Sequence, residues 1–85
     1  MEKVKFDARQ VDSWFYDDSW QYNASYHLFD FETSAKNEKR AFVHALNKRG
    51  IYFKKNKTRI NSDFDCIEIV DRKTGEILFC AIPVI

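Results

Sequence analysis

Basic side chains recur at every fourth position in the middle of the chain, an arrangement that places them along one face of a helix. These residues are Lys36, Arg40, His44 and Lys48. More cations follow a few positions later, at Lys54, Lys55, Lys57 and Arg59. Cationic side chains neutralise phosphates and release counterions, which drives nucleic-acid binding without regard to sequence. The pattern therefore predicts a surface for nucleic acid or another polyanion, beside which Tyr52 could stack on bases.

Charge is segregated along the chain. Residues 36–59 carry nine basic side chains and one acid, Glu38, for a net charge of +8, whereas residues 1–35 sum to −4 and residues 60–85 to −3. A solubilising surface normally mixes both signs, so this imbalance favours a polyanionic ligand. A simpler explanation is that any surface helix needs a solvated face and that lysines form helices well. A third explanation is that the acidic segments, residues 1–35 and 60–85, pack against the basic region and neutralise its charge.

Aromatic side chains cluster near the N-terminus. Eight of the 14 aromatic residues fall within residues 14–31, beside several carboxylates. Such rings are the main core builders of a small domain, which is one explanation of the cluster. They are also enriched at protein interfaces, where neighbouring carboxylates can engage a basic groove. The alternative function is therefore a protein–protein adaptor or inhibitor of the kind that phages and mobile elements often encode. Its surface would consist of Trp14, Tyr16, Asp17, Asp18, Trp20 and Tyr22.

Residue types suited to catalysis or metal binding form no recognisable motif. Cys66 and Cys80 lie 14 positions apart without a CxxC pair, and both sit in strand-like patterns rather than beside an activating base. His44 belongs to the basic helix face. The chain's two glycines, Gly50 and Gly75, leave no glycine-rich phosphate loop. We therefore expect a binding module without enzymatic activity, metal or cofactor.

Length and composition predict one small domain. With 85 residues the chain suffices for a single compact unit spanning residues 1–85. It starts with Met-Glu-Lys-Val-Lys, and it has no apolar run long enough for a secretion signal or a membrane span. We expect a cytoplasmic protein without a membrane partner, in which both cysteines stay reduced.

The first part of the chain allows two structures. Asp7 followed by Gln10 resembles a capping box. Apolar residues then fall on one helical face, at Ala8, Val11, Trp14 and Phe15. This favours a short N-terminal helix ending at residues 17–19; the rival is a strand over residues 11–16, paired in a hairpin with the next segment. Residues 20–32 alternate as a strand. The apolar side changes at Phe29 and Phe31, which indicates either a bulge or that both faces are covered towards the end of the strand.

The central helix is the clearest local element. Thr33 or Ser34 can cap its start, and Gly50 suits the left-handed position that follows a helix ending near Arg49. Its core-facing stripe is Ala35, Phe42, Ala45 and Leu46, with Val43 and Lys39 at the margin. The basic face lies on the opposite side.

The last part of the chain predicts strands. A short strand at residues 51–53 follows the helix, and residues 54–61 are expected to be a polar loop or a frayed edge. Residues 64–70 and 77–82 then form a hairpin, because the turn between them can be closed by Gly75.

One face of this hairpin is expected to be fully apolar, and the other is mostly apolar with a single carboxylate, Glu68. A four-residue loop pairs Asp71 with Glu76, Val70 with Ile77, Ile69 with Leu78 and Ile67 with Cys80. Such a sheet needs cover on both sides, from the N-terminal helix, a second copy or another partner, so a homodimer through the C-terminal hairpin sheet is one prediction. The expected fold class is α+β: an antiparallel sheet of about four strands, one main helix packed on one face, and a short N-terminal helix.

Overall fold

A computed structural model of the chain describes residues 3–63 and 66–84. Within these residues it contains five β-strands and one α-helix. The strands are β1 (Val4–Tyr16), β2 (Ser19–Thr33), β3 (Thr58–Asp63), β4 (Cys66–Asp71) and β5 (Ile77–Pro83). The helix α1 spans Glu38–Asn47 and follows a 3₁₀ turn at Ala35–Asn37. All neighbouring strands pair antiparallel, in the order β2-β1-β5-β4-β3. An antiparallel sheet with one main helix is therefore confirmed, with one strand more than the expected four among the described residues.

The core lies between α1 and one face of the sheet. Phe42 and Leu46 of the helix are 0% exposed, and the Phe42 ring stacks on that of Phe31 at 5.5 Å between centroids. Buried strand residues complete the core: Phe6, Ala8, Phe29, Ile67, Ile69 and Ala81. The predicted helical stripe is confirmed at Phe42, Ala45 and Leu46, while the side chain of Ala35 lies outside the described part of the chain.

The predicted N-terminal helix is wrong, because residues 4–16 form β1 and pair along their whole length with β2. The rival hairpin interpretation is correct. Phe6 and Ala8 pack against the helix side of the sheet. Val11 comes three positions after Ala8, so its side chain points to the opposite face of the strand. It is also buried, at 8% exposure. Burial on both faces of β1 produces the spacing of three that resembles a helix.

β2 is the strand predicted from residues 20–32, with its bulge where the pattern changed. Ala8 faces Phe29 but Arg9 faces His27, so Leu28 is an extra residue on β2. A second shift follows between Gln10 and Val11. Extra residues of this kind bend a strand and increase its twist.

The end of α1 is a Schellman-type turn. The backbone N–H of Ile51 donates to Leu46 O at 3.1 Å, and that of Gly50 donates to Asn47 O at 3.0 Å. Gly50 has φ +84°, a conformation that costs little only for glycine. The predicted stop at Gly50 is thus confirmed. At the other end, Ser34 precedes the 3₁₀ turn but makes no side-chain capping hydrogen bond.

The strand expected at residues 51–53 is wrong. Residues 54–61, expected to be a polar loop or a frayed edge, are a turn up to residue 57 and join the edge strand β3 at Thr58. Residues 51–54 are irregular, although Ile51 and Phe53 still pack against the core. The strand comes later, at β3, which pairs only with β4 and forms a sheet edge. Edge strands commonly carry polar and charged residues that discourage pairing with another chain, and this explains why β3 reads as a loop.

The β4–β5 hairpin is confirmed, but half of its predicted pairing shifts. Asp71 N donates to Glu76 O at 2.8 Å, and Val70 faces Ile77 as expected. An irregularity then follows between Ile69 and Val70, so the next pairs are Ile69 with Phe79 and Ile67 with Ala81 rather than with Leu78 and Cys80. The start of the predicted strand, Phe64 and Asp65, lies outside the described residues. Gly75 has φ +83° and closes the turn.

The distal half of the β1–β2 hairpin, residues 11–24, is called the arm. It curls over the sheet face opposite α1, because Tyr22 on β2 reaches Glu68 on β4 although β1 and β5 lie between those strands. At its edge Ser13 Oγ donates to Glu76 Oε1 at 2.9 Å, and Trp20 Nε1 donates to Thr74 O at 2.7 Å. The chain thus supplies some of the cover that the apolar hairpin needs, and the homodimer stays a prediction.

None of the helices among the described residues is long and apolar enough to cross a bilayer.

Candidate functional site

A groove of about 610 Å³ opens between α1, the segment after it and the β3–β4 edge of the sheet. Its apolar lining comes from Val43, Phe53, Ile60 and Ile69. The Phe53 ring meets that of Phe79 edge-on, with centroids 5.5 Å apart and planes at 75°. Packing of this kind holds Phe53 in place, so the groove has a preformed apolar floor.

Cationic side chains surround this floor. They are Arg40 on α1, Lys55 in the following turn, Arg59 on β3 and Arg72 in the β4–β5 turn, and His44 of α1 also lines the groove. All five are exposed. The ion pairs seen within residues 3–63 and 66–84 lie elsewhere, on β1 and β2. The groove cations therefore remain available to a ligand.

Arg72 is held by the backbone on the far side of the groove. Its Nε donates to Thr58 O at 2.8 Å and lies 3.2 Å from Lys55 O, while its backbone N–H donates to Lys57 O at 2.9 Å. These bonds tie the β4–β5 turn to the start of β3. An anchored guanidinium loses less conformational entropy when it binds an anion than a free side chain does.

Asn47, the last residue of α1, adds one polar group to the groove lining. Its Oδ1 is buried and has no hydrogen-bond partner among the described residues. A buried acceptor without a donor is unusual and carries a desolvation cost. A ligand N–H or O–H group in the groove would remove that cost once the Asn47 side chain turns toward it.

The groove brings together half of the predicted basic surface. Arg40, His44, Lys55 and Arg59 line it, whereas Lys36, Lys48, Lys54 and Lys57 do not. Lys36 lies in the 3₁₀ turn rather than in α1, so the evenly spaced helical face is shorter than expected. Sequence reasoning missed Arg72 and Phe53, because neither the position of β3 nor the closeness of the β4–β5 turn to the helix could be read from the charge pattern.

The predicted aromatic and acidic surface divides into two parts. At the tip of the arm the side chains of Trp14, Phe15 and Tyr16 are 44%, 60% and 69% exposed. Asp17 and Asp18 form the two-residue turn there, with φ of 54° and 61°. Trp20 and Tyr22 are half-buried instead and make the arm's contacts with the rest of the chain. The tip therefore remains a candidate surface, while Trp20 and Tyr22 are structural.

A polar cluster lies beneath the arm. The Tyr22 hydroxyl donates to Glu68 Oε2 at 2.6 Å and lies 4.0 Å from Cys66 Sγ. Burial, together with the hydrogen bond to Glu68, raises the pKa of Tyr22 well above its ordinary value. Burial likewise raises the pKa of the Cys80 thiol to about 11. Both groups therefore keep their protons at neutral pH, so neither Tyr22 nor Cys80 is an activated nucleophile.

Asp7 on β1 and the pair His27 and Asp30 on β2 are close enough to share a ligand. Their carboxylates already have cationic neighbours: Asp7 Oδ2 lies 2.8 Å from Arg9 Nε, and Asp30 Oδ2 lies 3.5 Å from Lys5 Nζ. Partial burial pushes the pKa of Asp7 up, but hydrogen bonds from His27 and Arg9 outweigh it and leave the pKa below its ordinary value. This cluster is best described as an ion-pair network.

Neither a family model, nor a curated protein, nor a solved structure matches the chain. The assignment of a function therefore depends on the physical properties of the groove and the arm.

Proposed function

We propose that this protein is a small, non-enzymatic binding module of the cytoplasm whose groove takes up nucleic acid or a similar polyanion. The observation that carries the proposal is the ring of cations around a preformed groove, none of them in an ion pair within the described residues. Arg40 approaches from the helix, Arg59 from β3 and Arg72 from the β4–β5 turn. Positive charge on three sides of a concave site focuses the electrostatic potential inside it.

The distribution of acids supports the same proposal. Within the basic region Glu38 is the one carboxylate, and it accepts a hydrogen bond from Ser62 Oγ. The ion pairs of the described residues involve Lys5, Arg9 and His27 of β1 and β2. Within this part of the chain, the protein's own carboxylates thus form no ion pairs with the groove cations. Such pairs would have argued against a polyanionic ligand.

Salt dependence tests the proposal. If the four groove cations Arg40, Lys55, Arg59 and Arg72 each neutralise one phosphate, the logarithm of the affinity for a single strand falls with the logarithm of salt concentration with a slope of about −3. A roughly fourfold rise in salt then weakens binding about 50-fold. Fluorescence anisotropy of a labelled oligonucleotide measures both quantities.

A pair of charge-matched variants localises the binding. Arg40→Gln with Arg59→Gln removes two charges inside the groove, and we expect at least about a tenfold loss of affinity and a shallower salt slope. Lys36→Gln with Lys48→Gln removes two charges outside it and should have little effect. Equal losses in both variants would mean diffuse attraction to the whole basic region, and no binding by the parent protein would refute the proposal.

A second candidate function rests on the arm tip. Three consecutive aromatic side chains are exposed there beside two carboxylates, a combination that suits a protein partner with a basic groove. An inhibitor of the phage or mobile-element kind would use such a surface. Tyr16→Ser with Phe15→Ser should then abolish capture of that partner without unfolding the protein, because both side chains are largely exposed. The same partner recovered with this variant would count against it.

A further inference from the structure

We infer that the occupant of the groove is a single-stranded nucleic acid that seats one unpaired base on the apolar floor. The inference rests on the proposed function and adds the class of ligand. Phosphate binding alone needs only cations. The groove combines its cations with a floor of Val43, Phe53 and Ile60, which a sugar–phosphate backbone would leave uncovered.

The size of the groove fits this assignment. Its volume of about 610 Å³ falls in the range of sites that enclose a small organic group, roughly 300–1,000 Å³. Arg40 on the helix and Arg59 on β3 both line the groove. A base on Phe53 could thus have its flanking phosphates next to guanidinium groups, which pair with phosphate oxygens in bidentate geometry.

Asn47 supplies a hydrogen-bonding group at the same place. Its buried Oδ1 has no donor among the described residues, and the edge of every base carries N–H groups that unpaired bases expose. An inorganic polyphosphate has no such donor near neutral pH. Turned toward the groove that its residue lines, this acceptor favours a base over a phosphate.

Duplex nucleic acid does not meet these conditions. Its bases are stacked on both faces and paired along their edges, so that a protein groove meets mainly phosphates and sugars. A single strand can turn a base outward onto an aromatic side chain and still place neighbouring phosphates on cations. Among polyanions, the single strand alone uses Phe53, Asn47 and the cations together.

The test compares labelled probes that carry the same number of phosphates, with the full-length protein at one salt concentration. The probes are a thymidine oligonucleotide of about eight nucleotides, the same strand with abasic sugars, and a duplex of equal phosphate count. We expect the thymidine strand to bind about tenfold or more tightly than the other two. If the abasic strand binds as tightly as the thymidine strand, the inferred base site is wrong, while the proposed polyanion binding still holds. No binding of any probe would refute the proposed function itself.

Two neighbouring aromatic residues provide matched variants. Phe53→Leu keeps an apolar side chain but removes the ring in the groove, and Tyr52→Leu does the same at a neighbouring ring that is 74% exposed and outside the groove. We expect Phe53→Leu to lower affinity for the thymidine strand about fivefold or more and to leave abasic binding unchanged. Tyr52→Leu should alter neither. The reverse result, with Tyr52 carrying the base preference, would overturn the assignment, and thermal unfolding of each variant checks that it folds.

Discussion

The hydroxyl of Tyr22 on β2 donates a 2.6 Å hydrogen bond to the carboxylate of Glu68 on β4, across the two strands that separate them in the sheet. The contact forms only because the arm curls over the sheet. The arm partly buries the Glu68 carboxylate, and Tyr22 supplies a hydrogen-bond donor to it. The arm and the sheet face beneath it are therefore energetically coupled.

Removing the Tyr22 hydroxyl should destabilise the protein. Tyr22→Phe leaves Glu68 half-buried without its donor, and we expect the free energy of unfolding to fall by about 1–3 kcal/mol. Urea denaturation measures the difference. Tyr26→Phe on the same strand is the control, since that side chain is 64% exposed, and it should change stability little. Equal stability of both variants would show that the arm contact contributes nothing.

The turn at the tip of the arm can be improved. Asp17 and Asp18 both adopt left-handed backbone conformations, which cost an ordinary residue roughly 1–2 kcal/mol each. Two-residue turns of this type prefer glycine at the second position. Asp18→Gly should therefore raise the free energy of unfolding by about 0.5–1 kcal/mol.

A glycine at Asp12, within β1, serves as the opposite control for the turn. Strand interiors disfavour glycine, so Asp12→Gly should lower stability by about 0.5–1 kcal/mol. A loss of stability in Asp18→Gly comparable to that in Asp12→Gly would contradict the turn geometry.

The Asp7 network predicts a pH dependence. Because hydrogen bonds from His27 and Arg9 leave the pKa of Asp7 below its ordinary value of 3.8, the ionised form is favoured in the folded state. Its stabilisation is complete above that pH and is lost as the pH falls below it. We expect Asp7→Asn to be less stable than the parent at pH 7 and the gap to narrow below about pH 4. A gap that stays constant down to pH 2 would contradict the assigned ionisation.

The thiol of Cys80 should be inert in the folded protein. It is 1% exposed, and burial raises its pKa to about 11, so both access and ionisation oppose reaction. In a Cys66→Ser variant at pH 8, we expect a thiol reagent to label Cys80 only at the rate of unfolding and fully in urea. Labelling at the rate of an unhindered thiol would contradict the burial of Cys80. Because the folded pKa is raised from 9.0, stability should also decline between about pH 9 and pH 11.

Some elements of this fold could be predicted because interactions between residues close in sequence determine them. Gly50 marks the end of α1, because only glycine tolerates its backbone conformation cheaply. Asp71 and Gly75 mark the β4–β5 turn: Asp71 Oδ1 accepts hydrogen bonds from the backbone of Lys73 and Thr74, and these lower the pKa of Asp71. Each of these signals acts within a few residues of the chain.

The errors arose where distant parts of the chain decide local structure. β1 has a helix-like spacing because Ala8 is covered by the α1 side and Val11 is buried on the opposite face, and no local signal shows that both faces are covered. β3 reads as a loop because an edge strand needs few apolar residues. The sequence predicted the positive charge of the candidate site but not its groove. Arg72 and Phe53 lie near Arg40 only because of the order of the strands in the sheet.

The groove can be tested directly by an amide NMR titration with a short thymidine strand. Binding at the proposed site should shift the amides of Val43, Asn47, Phe53 and Ile60 most strongly and leave those of Trp14, Phe15 and Tyr16 at the arm tip in place. Shifts confined to the arm tip, or spread evenly over Lys36, Lys48 and the other outer cations, would contradict a nucleic-acid site in the groove.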